Sequence, residues 1–230
     1  MFDPVEKTDT CKKEQSRGPM SVLYAARRAL SHHVEETPTD PRAQKSRESL
    51  VRVMVDALDE NPQPPSVSEL VRRAGASRPT FYQHFGDIPT LMHAAAMARL
   101  EEAFATLPQQ ASDNPDHPEN WTRFAAESFT ALFTHLSENR TFYLAVLDGP
   151  SGRAAESELT RFLAGRMLGI GTLRDALTRL TGPRAARYAE FLSAGLISQA
   201  TKDLRDDLPV SAMVETTTDF LAAATGHKAA

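Results

Sequence analysis

The chain holds a single cysteine, Cys11, in 230 residues, so no disulfide can form within it. One cysteine in a chain of this length suits a reducing compartment, and a cytoplasmic location is the expectation. No apolar run approaches the roughly 20 residues that a membrane-spanning helix needs. The first residues carry Asp3 and Glu6 and no apolar stretch, which does not fit a secretory leader. Catalytic signatures are missing as well. There is no phosphate loop, no HExxH and no serine elbow, and the pair Gly169-Ile170-Gly171 lacks both a preceding strand and a third glycine. His84 follows Thr80 by one helical turn, but a nucleophile–base pair needs an oriented third group and a pocket. His32 and His33, with Glu35 and Glu36 beside them, lie in a polar segment that offers no fixed scaffold for a metal. The expectation is a protein that is not an enzyme and that uses neither a metal nor a cofactor.

What is present is ordinary in bulk. Hydrophobic residues make up 41% and charged residues 24%, typical of a globular chain long enough for a sizeable core. The net charge of −4 argues mildly against a nucleic-acid partner, so its distribution matters. Between Arg42 and Met92 there are seven Lys/Arg (42, 45, 47, 52, 72, 73, 78) and six Asp/Glu (48, 56, 59, 60, 69, 87), giving +1 there and −5 elsewhere. Arg42, Lys45 and Arg47 cluster near the start of an amphipathic helix expected over Ala43 to Glu60. That helix offers Leu50, Val53, Met54, Ala57 and Leu58 on one face, and its N-terminal end, with Lys45 and Arg47 beside it, suits a phosphate.

The stretch Ser66 to Leu91, SVSELVRRAGASRPTFYQHFGDIPTL, carries the most information. Ser66 and Glu69 have the spacing of a capping box, in which each side chain satisfies the other residue's free amide. Leu70, Val71 and Ala74 make a short apolar stripe, and Gly75 suits a left-handed helix end. Ser77 restarts a helix with Pro79 in its first turn. Phe81 and Phe85, four apart, face inward. Arg78, Thr80, Tyr82, Gln83 and His84 are left facing outward. This spacing predicts two short helices joined by a tight turn, the second displaying a cation, donors and an aromatic edge. Such an element can enter a DNA major groove, although an ordinary helical hairpin with a polar face would look the same from spacing alone.

The residues themselves go further. AGASRPTFYQHFGDIPTL resembles the recognition-helix signature of TetR-family transcriptional regulators at Ala74, Gly75, Ser77, Thr80, Phe81, Tyr82, His84, Phe85 and Leu91. The resemblance is specific over about residues 45 to 95 and rests beyond that on length and helical layout. It implies an all-α fold: a three-helix DNA-binding unit over 42–92 and a helical ligand-binding and dimerisation region over 93–230, after a tail over 1–41. It also implies that Lys45, Arg47, Ser66, Ser77, Arg78, Thr80, Tyr82, Gln83 and His84 serve DNA binding. Arg78, Thr80 and Gln83 would reach base edges, while Tyr82 and His84 would meet phosphates or a thymine methyl. One departure stands out. The family usually places a lysine two residues beyond the position of Gly86, and this chain has Ile88 there. Val71 likewise stands where the family favours alanine.

The remaining segments read as helices and loops. The tail is either disordered or adds phosphate contacts through Lys12, Lys13, Arg27 and Arg28, with Val22 to Leu30 its one helical candidate. A fourth helix starts after the N-cap Asp87 and runs to about Leu107. Pro108 to Glu119 is a loop, and Trp121, Phe124, Ala125, Ser128, Phe129, Leu132, Phe133 and Leu136 then recur at the helical period. Thr141 to Leu147 is a short helix. Arg153 to Leu180 is a long helical segment with a kink or break at Gly169-Ile170-Gly171. Phe104, Phe124, Phe129, Phe133, Tyr143, Phe162 and Met167 are either plain core or, as in the family, the wall of a cavity for a small, largely apolar effector. The last two helices, from Arg184 to about Leu204 and from Val210 onward, carry apolar stripes. Through Tyr188, Phe191, Leu192, Gly195, Leu196, Met213, Thr217, Phe220 and Leu221 they either complete a monomeric bundle or build a two-fold homodimer.

The function implied is a ligand-released repressor that binds a pseudo-palindromic operator in double-stranded DNA as a homodimer, with no membrane partner. An activator, or a small-molecule-binding helical dimer with weakened DNA binding, is the alternative.

Overall fold

The computed structural model describes residues 40–107 and 118–226, which belong to one compact unit. The expected tail with its candidate helix and histidines, the expected loop after Leu107 and the side chain of Trp121 lie outside the described residues. Among the described residues every regular element is a helix, so the fold is all-α. No helix there is long and apolar enough to cross a membrane.

Helix α1 spans Pro41–Glu60, α2 Val67–Ala74, α3 Arg78–His84 and α4 Ile88–Thr106. Then come α5 (Pro118–Glu138), α6 (Arg140–Leu147), α7 (Gly152–Gly169), α8 (Gly171–Thr181), α9 (Ala185–Arg205) and α10 (Val210–Thr225). Their ends follow local chemistry. Asp40 accepts the Arg42 N–H at the start of α1, with Pro41 in the first turn, and Asp87 accepts the Thr90 N–H at 2.8 Å at the start of α4. The predicted interruption near residue 170 is a true break: α7 ends at Gly169, Ile170 is extended, and α8 begins at Gly171. At the other end of α7, Gly152 packs so tightly that a Cβ would lie 1.9 Å from the Leu147 carbonyl oxygen. The C-terminal end of α9 is closed from outside, by Arg140 Nε donating to the Leu204 carbonyl at 2.5 Å and its Nη2 to that of Arg205 at 2.9 Å.

The capping box at Ser66 forms only in half. Ser66 Oγ accepts the Glu69 N–H at 3.3 Å, but the Glu69 carboxylate turns to the Arg72 guanidinium, 2.5 Å away one turn along the helix. An ion pair on an exposed helix face outcompetes the return bond to the cap amide.

Among the described residues three apolar clusters make up the core. The largest joins Leu50, Met54 and Leu58 of α1, Leu70 of α2, Phe81 of α3 and Leu91 of α4 to Phe142 and Val146 of α6. Each such fully buried side chain contributes ~1.5–3 kcal/mol by leaving water. The expected boundary after residue 92 is therefore no gap in packing. A second cluster gathers Met167, Leu173, Leu177, Leu192 and Leu221 from α7 to α10, and a third holds Phe133, Leu204 and Met213.

The two final helices divide the expected interface list. Tyr188, Phe191, Gly195 and Phe220 are exposed, but Leu192, Leu196, Met213, Thr217 and Leu221 are buried inside the subunit. Those five are corrected: their side chains fill the protein's own core and are closed to a second copy. Adjacent helical positions lie about 100° apart, so a stripe that counts both Phe191 and Leu192 merges two faces. The inward face of α9 is Ala189, Leu192, Ser193 and Leu196.

Candidate nucleic-acid interface and ligand cavity

Helices α2 and α3 are joined through Gly75, Ala76 and Ser77. Gly75 takes φ +62°, which costs a side-chain-bearing residue but not glycine. Its N–H donates to the Arg72 carbonyl at 3.4 Å, and the Ala76 N–H donates to that of Val71 at 2.9 Å. Together these bonds satisfy carbonyls left open at the helix end. Ser77 Oγ then accepts the Thr80 N–H at 3.2 Å and starts α3. From α1, Ser49 Oγ donates to the Ala74 carbonyl at 3.0 Å and fixes the turn against the first helix.

Phe81 is completely enclosed and Phe85 nearly so, in the cluster formed with α1, α2 and α4. They hold α3 with its other side out. On that side Arg78, Gln83 and Tyr82 are exposed, Tyr82 at 56%. The Arg78 guanidinium donates to Ser68 Oγ of α2 at 2.5 Å, so it lies across the mouth of the turn. Thr80 is half-buried, its hydroxyl 2.8 Å from Ser77 Oγ. His84 departs from the expectation. It is half-buried beside Phe85, and its Nε2 is enclosed without a hydrogen bond, because a residue one position before an inward Phe85 sits on the edge of the buried face.

The cations sort into two groups. Arg72 pairs with Glu69, and Arg73 with Glu60 at 3.0 Å. Among the described residues Arg42, Lys45, Arg47, Arg52 and Arg78 make no ion pair. Lys45 and Arg47 are exposed on α1, and the Arg47 guanidinium sits 5.5 Å from the centre of the Phe85 ring, beside the end of α3. Exposed Ser66 and Ser77 open the two short helices. Lys45, Arg47, Ser66, Ser77, Arg78, Tyr82 and Gln83 are therefore exposed on α1 to α3 or at their N-terminal caps. Ile88, at the position of the family's lysine, is half-buried and packs on the core.

Only Phe85, Gly86 and Asp87 separate α3 from α4, and α4 is gripped along its length. His93 Nε2 lies 2.7 Å from Glu158 of α7. Arg99 pairs with Asp59 of α1 at 2.6 Å, donates to Asn139 Oδ1, and lies over the Phe142 ring. Phe104 meets Phe162 of α7 edge-on, with ring centres 5.0 Å apart.

Beyond α4 lie two adjoining cavities of about 90 Å³ each, sharing Phe104, Phe129, Leu132, Leu163 and Leu196 as walls. Phe133, Tyr143 and Phe162 also line the first, and Phe124 and Met167 the second, so all seven residues expected at a ligand site reach one cavity or both. Leu196 and Thr217, expected at a subunit interface, line the first instead. Tyr143, Thr201 and Thr217 bring its polar groups, and Tyr143 Oη is hydrogen-bonded to His135 Nε2 at 2.8 Å. Burial pushes the Tyr143 phenol well above its usual range, so it stays protonated. Burial, and then the nearby Arg99 cation, lowers the His135 pKa, which favours the neutral imidazole.

Sequence reasoning missed Arg166 and Ser128 as cavity polar groups. Both line the second cavity. The available signal was a lone cation three residues after Leu163 and next to Met167, inside an apolar helical face. Among the described residues no group of three His, Cys, Asp or Glu could hold a metal ion. No family model matches the chain, and no curated protein matches it either.

Proposed function

We propose that the protein is a DNA-binding transcriptional regulator of the TetR type, acting as a homodimeric repressor that a small ligand releases from a pseudo-palindromic operator. The observation that carries this reading is the α2–turn–α3 unit. Its second helix is anchored by Phe81 and Phe85 and leaves Arg78, Tyr82 and Gln83 exposed. Arg78 suits a guanine edge and Gln83 an adenine edge, while Lys45 and Arg47 suit the backbone. Reaching a base requires Arg78 to leave Ser68, a neutral partner that a charge-assisted contact can replace.

Two such helices read a palindrome only when held about 34 Å apart, one turn of duplex. The exposed aromatic face of Tyr188, Phe191 and Phe220 supports a dimer that would set this distance. A ligand in the cavities would press on Phe104 and hence on α4, which is continuous with α3 through three residues. Only a ligand favouring one of two arrangements can shift the balance between them.

The test is binding of the purified chain to DNA flanking its own gene, followed by selection from random DNA, across a salt series. With Lys45 and Arg47 on each of two subunits, log K should fall against log salt with a slope of about −4. No saturable, sequence-selective binding in either experiment sinks the reading. A second reading, a small-molecule-binding helical dimer with weak DNA contacts, is favoured by Ile88 packing on the core and by the neutralised Arg72 and Arg73. A reporter assay separates repressor from activator.

A further inference from the structure

Arg166 is unusual among the cations of this protein. It stands on α7, half-buried, as the charged residue among those lining the second cavity. Among the described residues it makes no ion pair or hydrogen bond, and its guanidinium lies 5.6 Å from the centre of the Phe104 ring. Ser128 lines the same cavity from α5, and its Oγ is buried without a partner. Buried donors without acceptors are costly, and natural sites usually answer them with a ligand, an ion or water. Around these two groups the walls are largely hydrocarbon, and the two cavities share Phe104, Phe129, Leu132, Leu163 and Leu196 as walls.

We propose that the two cavities form one binding site for an amphipathic carboxylate, whose head pairs with Arg166 and Ser128 and whose alkyl tail occupies the space now divided by Phe129, Leu132 and Leu163. The planar guanidinium matches a carboxylate through two parallel hydrogen bonds, and the Ser128 hydroxyl can supply a third donor. A single cation balances one negative charge, which favours a carboxylate over a phosphate dianion. Burial lowers the Arg166 pKa with no acidic neighbour to oppose it, and an incoming anion would restore that missing partner. At about 90 Å³, either cavity alone is small for an organic ligand, whereas a merged one accepts an elongated tail. Pairing with a carboxylate draws the guanidinium from the face of Phe104, a residue of α4, so the head of the ligand acts on the helix that leads to α3. The proposal rests on the effector-binding part of the function proposed above and names the chemistry of that effector.

The experiment is calorimetric titration of the full chain, without DNA, using octanoate and 1-octanol, which share a tail and differ in the head. Octanoate should bind at least about tenfold more tightly, as expected for a charge-assisted hydrogen bond in a half-buried site. Arg166→Gln should abolish that preference, and Arg166→Lys, which keeps the charge but loses the paired hydrogen bonds, should retain only part of it. Equal affinity for acid and alcohol, no binding of either, or an Arg166→Gln protein that still prefers the acid would overturn the proposal. The comparison within the native protein needs no variant to fold. Octanoate preference in a chain that binds no DNA would leave this site standing and sink transcriptional regulation. DNA binding without octanoate preference would do the reverse.

Discussion

Replacing Phe81 and Tyr82 one at a time separates the scaffold of α3 from its surface. The Phe81 ring is fully enclosed, with the Tyr82 ring 5.3 Å away edge-on and the Phe85 ring at 6.3 Å. Phe81→Ala removes a whole buried ring from a cluster that spans α1 to α4 and leaves a cavity, at a cost of ~3–5 kcal/mol. In a chain of this size each kcal/mol lowers Tm by roughly 2–4 °C, so a fall of about 6–20 °C is expected. Tyr82 is 56% exposed and loses chiefly its edge contact with Phe81. Tyr82→Ala should therefore cost about 1 kcal/mol, or roughly 2–4 °C. Thermal unfolding followed by circular dichroism measures the difference. DNA binding is then compared at a temperature where both variants are folded. A Tyr82 variant that melts as early as the Phe81 variant would refute the assignment of inner and outer faces. One that melts late yet binds DNA like the native chain would remove Tyr82 from the interface.

Arg78→Ala should weaken operator binding by about 1–3 kcal/mol and relax preference at one base position; a uniform loss on every sequence would mean a backbone contact. Phe191, 71% exposed on α9, tests the dimer: Phe191→Glu should yield monomers by light scattering with little change in Tm, and an intact dimer would disprove this face as the interface. Truncation before Pro209 is a poorer probe, since it strips Met213 and Leu221 from the subunit's own core. Gly152→Ala should destabilise by about 1–3 kcal/mol, because its Cβ would meet the Leu147 backbone, and an unchanged Tm would contradict the close approach of α7 to α6. The folded-state pKa of His135 lies below its ordinary 6.5, so the stability tied to neutral His135 is complete above that pH and falls as pH drops through the folded value. Urea midpoints measured on either side of pH 6.5 should show that fall in the native chain and a flatter dependence in His135→Gln; equal slopes would refute it.

Local chemistry alone determined where most helices begin and end. Asp87 as an N-cap, Gly75 as a left-handed terminus, Ser77 with Pro79, and the glycine pair flanking Ile170 act within a few residues of themselves. For the same reason the inward placement of Phe81 and Phe85 was legible, as was the outward placement of Arg78, Tyr82 and Gln83. The aromatic residues of α4 to α7 were also legible as a set, since the helical period puts them on common faces. The tertiary structure decided whatever depends on neighbours distant in the chain. Sequence spacing allowed Glu69 to close a capping box, but the nearby Arg72 took its carboxylate. Leu192, Leu196, Met213, Thr217 and Leu221 could have faced either a second copy or the interior, and only the packing of α5 and α7 beside them consigned them to the interior. In sequence Arg166 stands out only as a cation within an apolar helical face, which does not say what it meets. Its position over Phe104, in a cavity that offers it no carboxylate, exists only because α4, α5 and α7 converge there.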